Sequence, residues 1–285
     1  MSIELDHVAF SYPDGTRVFD DLTASIEAGS RVAVVGQNGA GKTTLAKLMN
    51  GLLKPTKGTV VVDGMETRKA TTAQIARQVA YVYQNPDDQL FKPKVRDEIT
   101  YLSRVLRRPS DEVEEQLGIN AELAGVAAYL DANPKDLPLA IRRFVAVASL
   151  LMGQANYFIL DEPTGGIDLP GTVRLLRIMD SLSARGIGVI TISHDMRFVV
   201  EHFDRIIAVS EGQIVADGAA STVFGDDDVL RRCALYRPKA TQFARDVRLP
   251  GDPYRLEEIA TALRVRIAGH KGRRDHRTVE KEDQL

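Results

Sequence analysis

Four apolar residues, Val32-Ala33-Val34-Val35, run directly into Gly36-Gln37-Asn38-Gly39-Ala40-Gly41-Lys42-Thr43-Thr44, and this junction limits the fold more than any other stretch. A short apolar run rich in β-branched residues predicts a buried strand, and the pattern G-x-x-x-x-G-K-[ST] is complete at Thr43. Three glycines let the backbone curl until successive N–H groups point inward at phosphate oxygens. The helix predicted from Lys42 to Asn50, closed by Gly51, adds the positive end of its dipole. In this pattern the lysine reaches β- and γ-phosphates, and the following hydroxyl, here Thr43, offers a ligand to Mg²⁺. A glycine-rich turn with a chance lysine need not have a strand before it and a helix after it. This is a phosphate-binding loop.

The surrounding pattern predicts an α/β fold with a mainly parallel sheet. An antiparallel β region precedes the loop, with strands at Ile3–Phe10, Arg17–Phe19 and Leu22–Ile26 and a turn at Pro13–Thr16. A strand over 59–62, a short helix over 72–77 and a strand over 80–83 follow, and the last delivers the polar loop Gln84–Phe91. Helices are expected at Val95–Leu106, Asp111–Leu117 (Asp111 as N-cap, Gly118 as stop), Ala121–Val126 and Leu137–Met152. They form a helical insertion over about 86–153. Strands at Tyr157–Leu160, Gly188–Ile192, Ile206–Val209 and Gln213–Ala216, with helices at Pro170–Ala184 and Met196–Phe203, complete a unit of 1–218. Residues 219–268 read as a helical extension, with segments Asp227–Ala234, Ala240–Asp246 and Arg255–Leu263 set apart by Pro238, Pro250 and Pro253. The charged stretch 269–285 reads as a disordered tail.

Gly36, Gln84, Asp161 and His194 each follow a predicted strand, and ligands of parallel sheets gather at strand carboxyl ends. Asp161, after four apolar residues, fits a second Mg²⁺ carboxylate. Neighbouring side chains diverge, so Glu162 is free to polarise an attacking water, a task that needs a carboxylate within hydrogen-bond reach. Taken alone, the acidic pair fits a helix cap equally well. His194 suits either water orientation or a plain surface role, and Tyr12 either stacks on a purine or packs at a strand rim.

Lys+Arg at 37 against Asp+Glu at 39 leaves a net charge of −2, which gives no reason to expect a nucleic-acid partner. No apolar run is long enough to cross a bilayer, and Met1-Ser2-Ile3-Glu4 does not open a signal peptide, so membrane work would need another chain. The single cysteine, Cys233, excludes an internal disulfide and fits a reducing cytosol as a packing residue.

Over residues 1–220 these motifs together resemble the ATP-binding-cassette (ABC) ATPases. The order matches: an aromatic A-loop residue (Tyr12), Walker A (36–43), a Q-loop glutamine (Gln84), Walker B with its glutamate (Asp161, Glu162), a D-loop (Gly165–Asp168) and a switch histidine (His194). The resemblance implies ATP and Mg²⁺ as cofactors, with the metal on Thr43, Gln84 and Asp161. It implies catalytic roles for Lys42, Gln84, Glu162 and His194, and nucleotide contacts from Tyr12, Asp161 and the loop through Thr44. It further implies that two cassettes clamp two ATP molecules, each Walker A facing the partner's LSGGQ signature. The run Gln84-Asn85-Pro86-Asp87-Asp88-Gln89-Leu90-Phe91 is similar to the Q-loop of energy-coupling-factor (ECF) importer ATPases. Those subunits serve uptake of vitamins and metal ions such as cobalt and nickel, grip a transmembrane T-component that carries a substrate-binding S-component, and sit on the cytoplasmic face of the membrane. The extension after 219 is similar in size to their dimerising C-terminal region.

One motif departs. Arg142-Arg143-Phe144-Val145-Ala146-Val147-Ala148 resembles the run after LSGGQ, which places Leu137 on the leucine and Pro138-Leu139-Ala140-Ile141 on Ser-Gly-Gly-Gln. Pro138 lacks both hydroxyl and N–H, Leu139 and Ala140 put side chains where glycines admit a phosphate, and Ile141 replaces an amide with hydrocarbon. Proline suits a first helical turn, so the helix is expected to persist while its phosphate contact is lost. The expectation is an asymmetric pair, in which a second ATPase with an intact signature completes this chain's site. The alternative is a nucleotide-dependent clamp with little turnover of its own.

Overall fold

The computed structural model describes residues 1–251 and 253–268. The charged segment read as a tail, 269–285, lies outside the described residues. Strand β1 (Ser2–Ser11) buries Ile3, Leu5, Val8 and Phe10 and pairs antiparallel with β2 (Arg17–Glu27). The two strands expected at 17–19 and 22–26 are therefore one. Asp20 and Asp21 stay exposed within it, and Asp21 accepts a 2.8 Å hydrogen bond from His7 across the pair. Polar residues can interrupt the apolar pattern without interrupting the backbone ladder when one face of the sheet meets water.

The central strand β3 (Arg31–Val35) leads through the loop into helix α1 (Lys42–Met49). Then come β4 (Lys57–Val62), β5 (Met65–Glu66), α2 (Thr72–Ala76) and β6 (Val79–Val82). Three helices of the insertion, α3 (Val95–Val105), α4 (Ser110–Leu123) and α5 (Leu139–Leu151), precede β7 (Tyr157–Asp161). The unit ends with α6 (Leu169–Ala184), β8 (Gly188–Ile192), α7 (Met196–His202), β9 (Arg205–Ser210) and β10 (Gln213–Gly218). The strands form a four-stranded antiparallel sheet, β2-β1-β4-β5, and a six-stranded sheet, β10-β9-β3-β8-β7-β6, in which only β10 runs antiparallel to its neighbour.

Strand β3 shows how the two layers are divided. Val32 and Val34 join the core between the sheets, with Leu45, Leu48 and Met49 of α1 and Val60 of β4. Ala33 and Val35 face the opposite cluster, which contains Ile99, Leu117, Phe144 and Val147 of the insertion and Leu175 of α6. A period of two thus sends alternate residues into two cores, and β6, β7 and β8 are buried along their whole length.

The insertion corrects the expected helices. Asp111–Leu117 and the start of the helix expected at Ala121–Val126 belong to one helix, α4, which stops at Leu123, and Gly118 lies inside it rather than ending it. Val113, Leu117, Asn120 and Ala121 fall on one buried face, while a side chain at Gly118 would meet nothing within 4 Å. Packing of that face outweighs the roughly 1 kcal/mol cost of a mid-helix glycine. Pro109, not Asp111, is the N-cap, and Asp111 sits in the first turn. Helix α5 starts at Leu139 with Pro138 as its N-cap, so the helix survives there as expected.

The extension contains α8 (Ala220–Phe224), not anticipated from the sequence, then α9 (Asp227–Cys233), α10 (Lys239–Asp246) and a helix over 256–268. Val223, Phe224, Leu230, Cys233 and Leu235 merge with the main core, and Ala244, Leu249 and Ile259 form a small separate one. Cys233 is fully buried, in keeping with a packing role.

The turn joining β9 to β10 is Glu211-Gly212, with φ of +48° and +71°, the two-residue geometry that fits strand twist. A Cβ at position 212 would sit 1.9 Å from the Val18 carbonyl oxygen of β2. Gly212→Ala is expected to cost more than about 2 kcal/mol, from the left-handed backbone and the displaced strand. Urea unfolding monitored by circular dichroism checks this; an unchanged midpoint would contradict the packing described.

Candidate functional site

The phosphate loop owes its shape to its glycines. Gly36 has φ +147°, and a Cβ there would lie 2.0 Å from the Val209 carbonyl oxygen. Gly41, the N-cap of α1, has φ +100°, and its Cβ would press on Phe19 and Val18 at 2.8 Å. The loop is thus clasped from behind by β9 and β2, while Gln37, Asn38, Gly39 and Thr43 face solvent and Ala40 is buried. Lys42 is buried to 7% exposure, and its Nζ donates to the Gly36 and Gln37 carbonyls at 2.8 Å each. Burial pulls its pKa down, and the nearby Glu162 and Asp161 pull it back up. The ammonium is therefore held over the concave side of its own loop, where phosphate oxygens would meet it.

Strand β7 brings Asp161 to the same place. Thr43 Oγ1 donates to Asp161 Oδ2 at 3.4 Å, a long contact between two hard oxygen groups that suits a shared divalent cation. Among the described residues no three His, Cys, Asp or Glu side chains gather into a metal cage. A cation here would take few protein ligands and complete its shell from phosphate and water, as Mg²⁺ does beside nucleotides. The donor set fits that ion.

The same Asp161 oxygen accepts a 2.7 Å hydrogen bond from the buried Tyr81 hydroxyl of β6. Sequence reasoning missed Tyr81. The available signal was a tyrosine inside the apolar strand Val79–Val82, because a buried phenol needs a partner. Burial first and the Asp161 bond second push the Tyr81 phenol far above its usual range, so it remains a donor.

Glu162 turns away from its neighbour. Its backbone is left-handed, φ +48°, a conformation that costs a non-glycine residue about 1–3 kcal/mol. The carboxylate meets the switch segment: Oε2 accepts the His194 backbone N–H at 3.3 Å, and Oε1 lies 3.1 Å from His194 Nε2. That second approach is not aligned as a hydrogen bond, leaving Oε1 buried without a partner and suited to accept a proton from water. Burial raises the Glu162 pKa and outweighs the opposing His194 N–H bond, Lys42 and Arg143. Burial, then Lys42, lowers that of His194. Arg143 of α5, a second residue missed from the sequence, donates Nη1 to the Glu162 carbonyl at 2.8 Å.

Two expected residues stand apart from this cluster. Tyr12 is half-buried, packs edge-on against Phe10 and shares a 2.9 Å hydrogen bond with Thr44. Its ring thus stands at the start of α1. Gln84 is exposed on the loop after β6 and forms no hydrogen bond to Asp161 or Thr43. Gln89 anchors that loop instead, donating to the Ala146 carbonyl at 2.9 Å, and Asp87 pairs with Arg142 at 2.8 Å. In the D-loop, Asp168 caps α6 by accepting the Gly171 N–H at 2.8 Å. Pro138 and Leu139, in the segment whose sequence reads as a degenerate signature, are exposed at the start of α5.

A phosphate loop on β3, carboxylates ending β7 and a histidine after β8 define a P-loop nucleotide-binding cassette with a helical insertion. The ABC transporter family model matches residues 19–165. The chain is 37% identical over 251 residues to an energy-coupling factor transporter ATP-binding protein, EcfA, of Methanothermobacter thermautotrophicus, covering 87% of this chain and 81% of the relative. It is 32% identical over 239 residues to EcfA of Methanocaldococcus jannaschii, covering 83% and 86%. The solved structure of cbiO1 from Clostridium perfringens, described as part of the ABC transporter complex cbiONQ, superposes with a TM-score of 0.72 at 27% identity, covering 80% of this chain and 92% of that one. The chain belongs to the ABC transporter family, as an ATPase of the energy-coupling-factor type.

Two outcomes follow from the carboxylate pair. Tyr81→Phe removes a buried bond to a charged acceptor and is expected to lower stability by about 1.5–3 kcal/mol in denaturant titrations; a change near zero would mean that the phenol does not hold Asp161. The folded chain binds the Glu162 proton more tightly than the unfolded chain does. That contribution to stability is full at acid pH and is lost as pH rises through the folded value. Glu162→Gln should therefore melt higher than the parent at about pH 7–8, with the gap closing towards about pH 4. A gap that widens on acidification would contradict the burial assigned to this carboxylate.

Proposed function

We propose that this chain is the signature-degenerate half of an ATPase heterodimer that powers an ECF-type importer of a vitamin or transition-metal ion. The observation that carries this reading is an intact catalytic cluster in a chain whose own signature reads Pro138-Leu139-Ala140-Ile141. In this reading the N–H groups of 36–44 and the Lys42 ammonium bind the triphosphate, and the Tyr12 ring takes the purine face. Thr43, Gln84 and Asp161 would hold Mg²⁺, which would offset negative charge on the phosphates. Glu162 accepts a proton from the attacking water through Oε1, and His194, neutral because burial and Lys42 disfavour its cation, orients that water.

The opposite site, formed by the partner's Walker A and this chain's α5, lacks in its lid the serine hydroxyl, the two glycines and the glutamine amide of an intact signature. It would retain ATP and turn it over slowly. A partner ATPase with an intact LSGGQ signature completes the productive site. Among the described residues no helix is long and apolar enough to cross a membrane, so transport requires a T-component and an S-component on other chains. Peripheral attachment at the cytoplasmic face follows in this reading. Phe91, at the end of the Q-loop run, and Tyr101 are exposed and meet edge-on at 4.9 Å, and in this reading they offer an apolar surface to the T-component. The extension from 219 to 268 would strengthen the ATPase pair.

The damaged signature also favours a second reading, a clamp that binds ATP and regulates without turnover. Steady-state phosphate release separates the two. The purified chain alone is expected to hydrolyse ATP slowly. Pro138→Ser, Leu139→Gly, Ala140→Gly and Ile141→Gln together are expected to raise that rate by roughly tenfold or more, the effect of restoring phosphate donors. Fast turnover by the unaltered chain would overturn the asymmetry, and no gain from the restored signature would favour the clamp.

A further inference from the structure

Glu162 sits in a backbone conformation that its residue type disfavours, and the contacts that impose it come from two different parts of the molecule. On one side, the Glu162 N–H donates to the Ile192 carbonyl of β8 at 2.9 Å, which fixes the preceding peptide plane to the central sheet. On the other side, the Glu162 carbonyl receives two donors, Arg143 Nη1 at 2.8 Å and the Gly165 N–H at 3.2 Å. A carbonyl oxygen has two lone pairs, so both are taken and the following peptide plane is fixed as well. With both planes held, the left-handed φ of +48° persists and the carboxylate is aimed at the His194 segment.

Of the three donors and acceptors, the Ile192 and Gly165 groups are main chain. Arg143 is the exception: a side chain that comes from α5, the helix whose first turn carries residues 139–141 of the degenerate signature. It spends much of its hydration for this contact. Its Nε is buried without an acceptor, and burial lowers its pKa despite the nearby Glu162 charge. Its neighbour Arg142 pairs with Asp87, so two adjacent arginines tie α5 to the loop after β6 and to the end of β7.

We infer that Arg143 is a positioning residue for Glu162: its guanidinium holds the Glu162 carbonyl and thereby keeps the carboxylate pointed at the water it must deprotonate. The contact also links the aim of that carboxylate to the placement of α5. This inference rests on the hydrolytic role proposed for Glu162 and adds a residue that acts on it through its backbone carbonyl.

The test uses the full chain, tagged, in the complex that copurifies with it from its native membrane. Arg143→Ala is expected to lower kcat for ATP by up to about a hundredfold, the cost of misplacing a reacting group by about 1 Å. The affinity for a fluorescent ATP analogue should be unchanged, and added guanidinium ion should restore part of the lost kcat. Arg143→Lys, which keeps one donor and the charge and is the readout if the alanine variant fails to fold, should fall between the two. A parent-like kcat in Arg143→Ala, or a loss carried by nucleotide affinity instead, would overturn the inference. Glu162→Gln in the same complex keeps the two failures apart. If it abolishes turnover while Arg143→Ala does not, the positioning role is wrong and the hydrolytic reading stands. If Glu162→Gln retains full turnover, the hydrolytic reading itself is wrong.

Discussion

The arrangement depends on two adjacent carboxylates at the end of β7 being steered to opposite sides. Side by side and desolvated, Asp161 and Glu162 would repel one another and raise each other's pKa. The fold separates them by giving each its own partners. Asp161 continues the strand and is met by Tyr81 and Thr43, while Glu162 breaks the strand geometry and is met by the His194 segment. One carboxylate can then stay with a metal while the other works on water. The strained φ of Glu162 is the cost of that division, and it is sustained by a sheet that is buried on both faces.

This local strain also explains why the site belongs to two layers of the molecule. The phosphate loop is clasped by β2 and β9, the Asp161 carboxylate by β6, and the Glu162 backbone by β8 and α5. Glu162 is held above its ordinary pKa by burial, so the folded chain gives up stability near neutrality to keep that carboxylate in place. Stored instability of this kind is common where function needs a poised group.

Much of this was legible from the residues. The strand-loop-helix at 32–50 could be read because β-branched residues, glycines and a lysine each have one local meaning there. Asp161, Glu162 and His194 were legible because parallel strands deliver their last residues to one edge. Gly118 misled because a glycine stops a helix only when nothing beyond it packs, and the face carrying Asn120 and Ala121 does pack. Asp20 and Asp21 hid the continuity of β2 because ladder bonding does not depend on side-chain polarity. Tyr81 and Arg143 were missed for a common reason. Their partners lie 80 and 19 residues away, and a periodic pattern cannot reveal a contact that only the topology creates.

The central claim is that the productive site uses this chain's phosphate loop under a lid supplied by another subunit. Trapping the copurified complex with an azido-ATP, Mg²⁺ and vanadate, washing away free probe and then irradiating tests it directly. The account predicts one firmly trapped nucleotide per ATPase pair, with the label on this chain, beside the Tyr12 ring. Two equally trapped nucleotides, or a label confined to the partner ATPase, would contradict it.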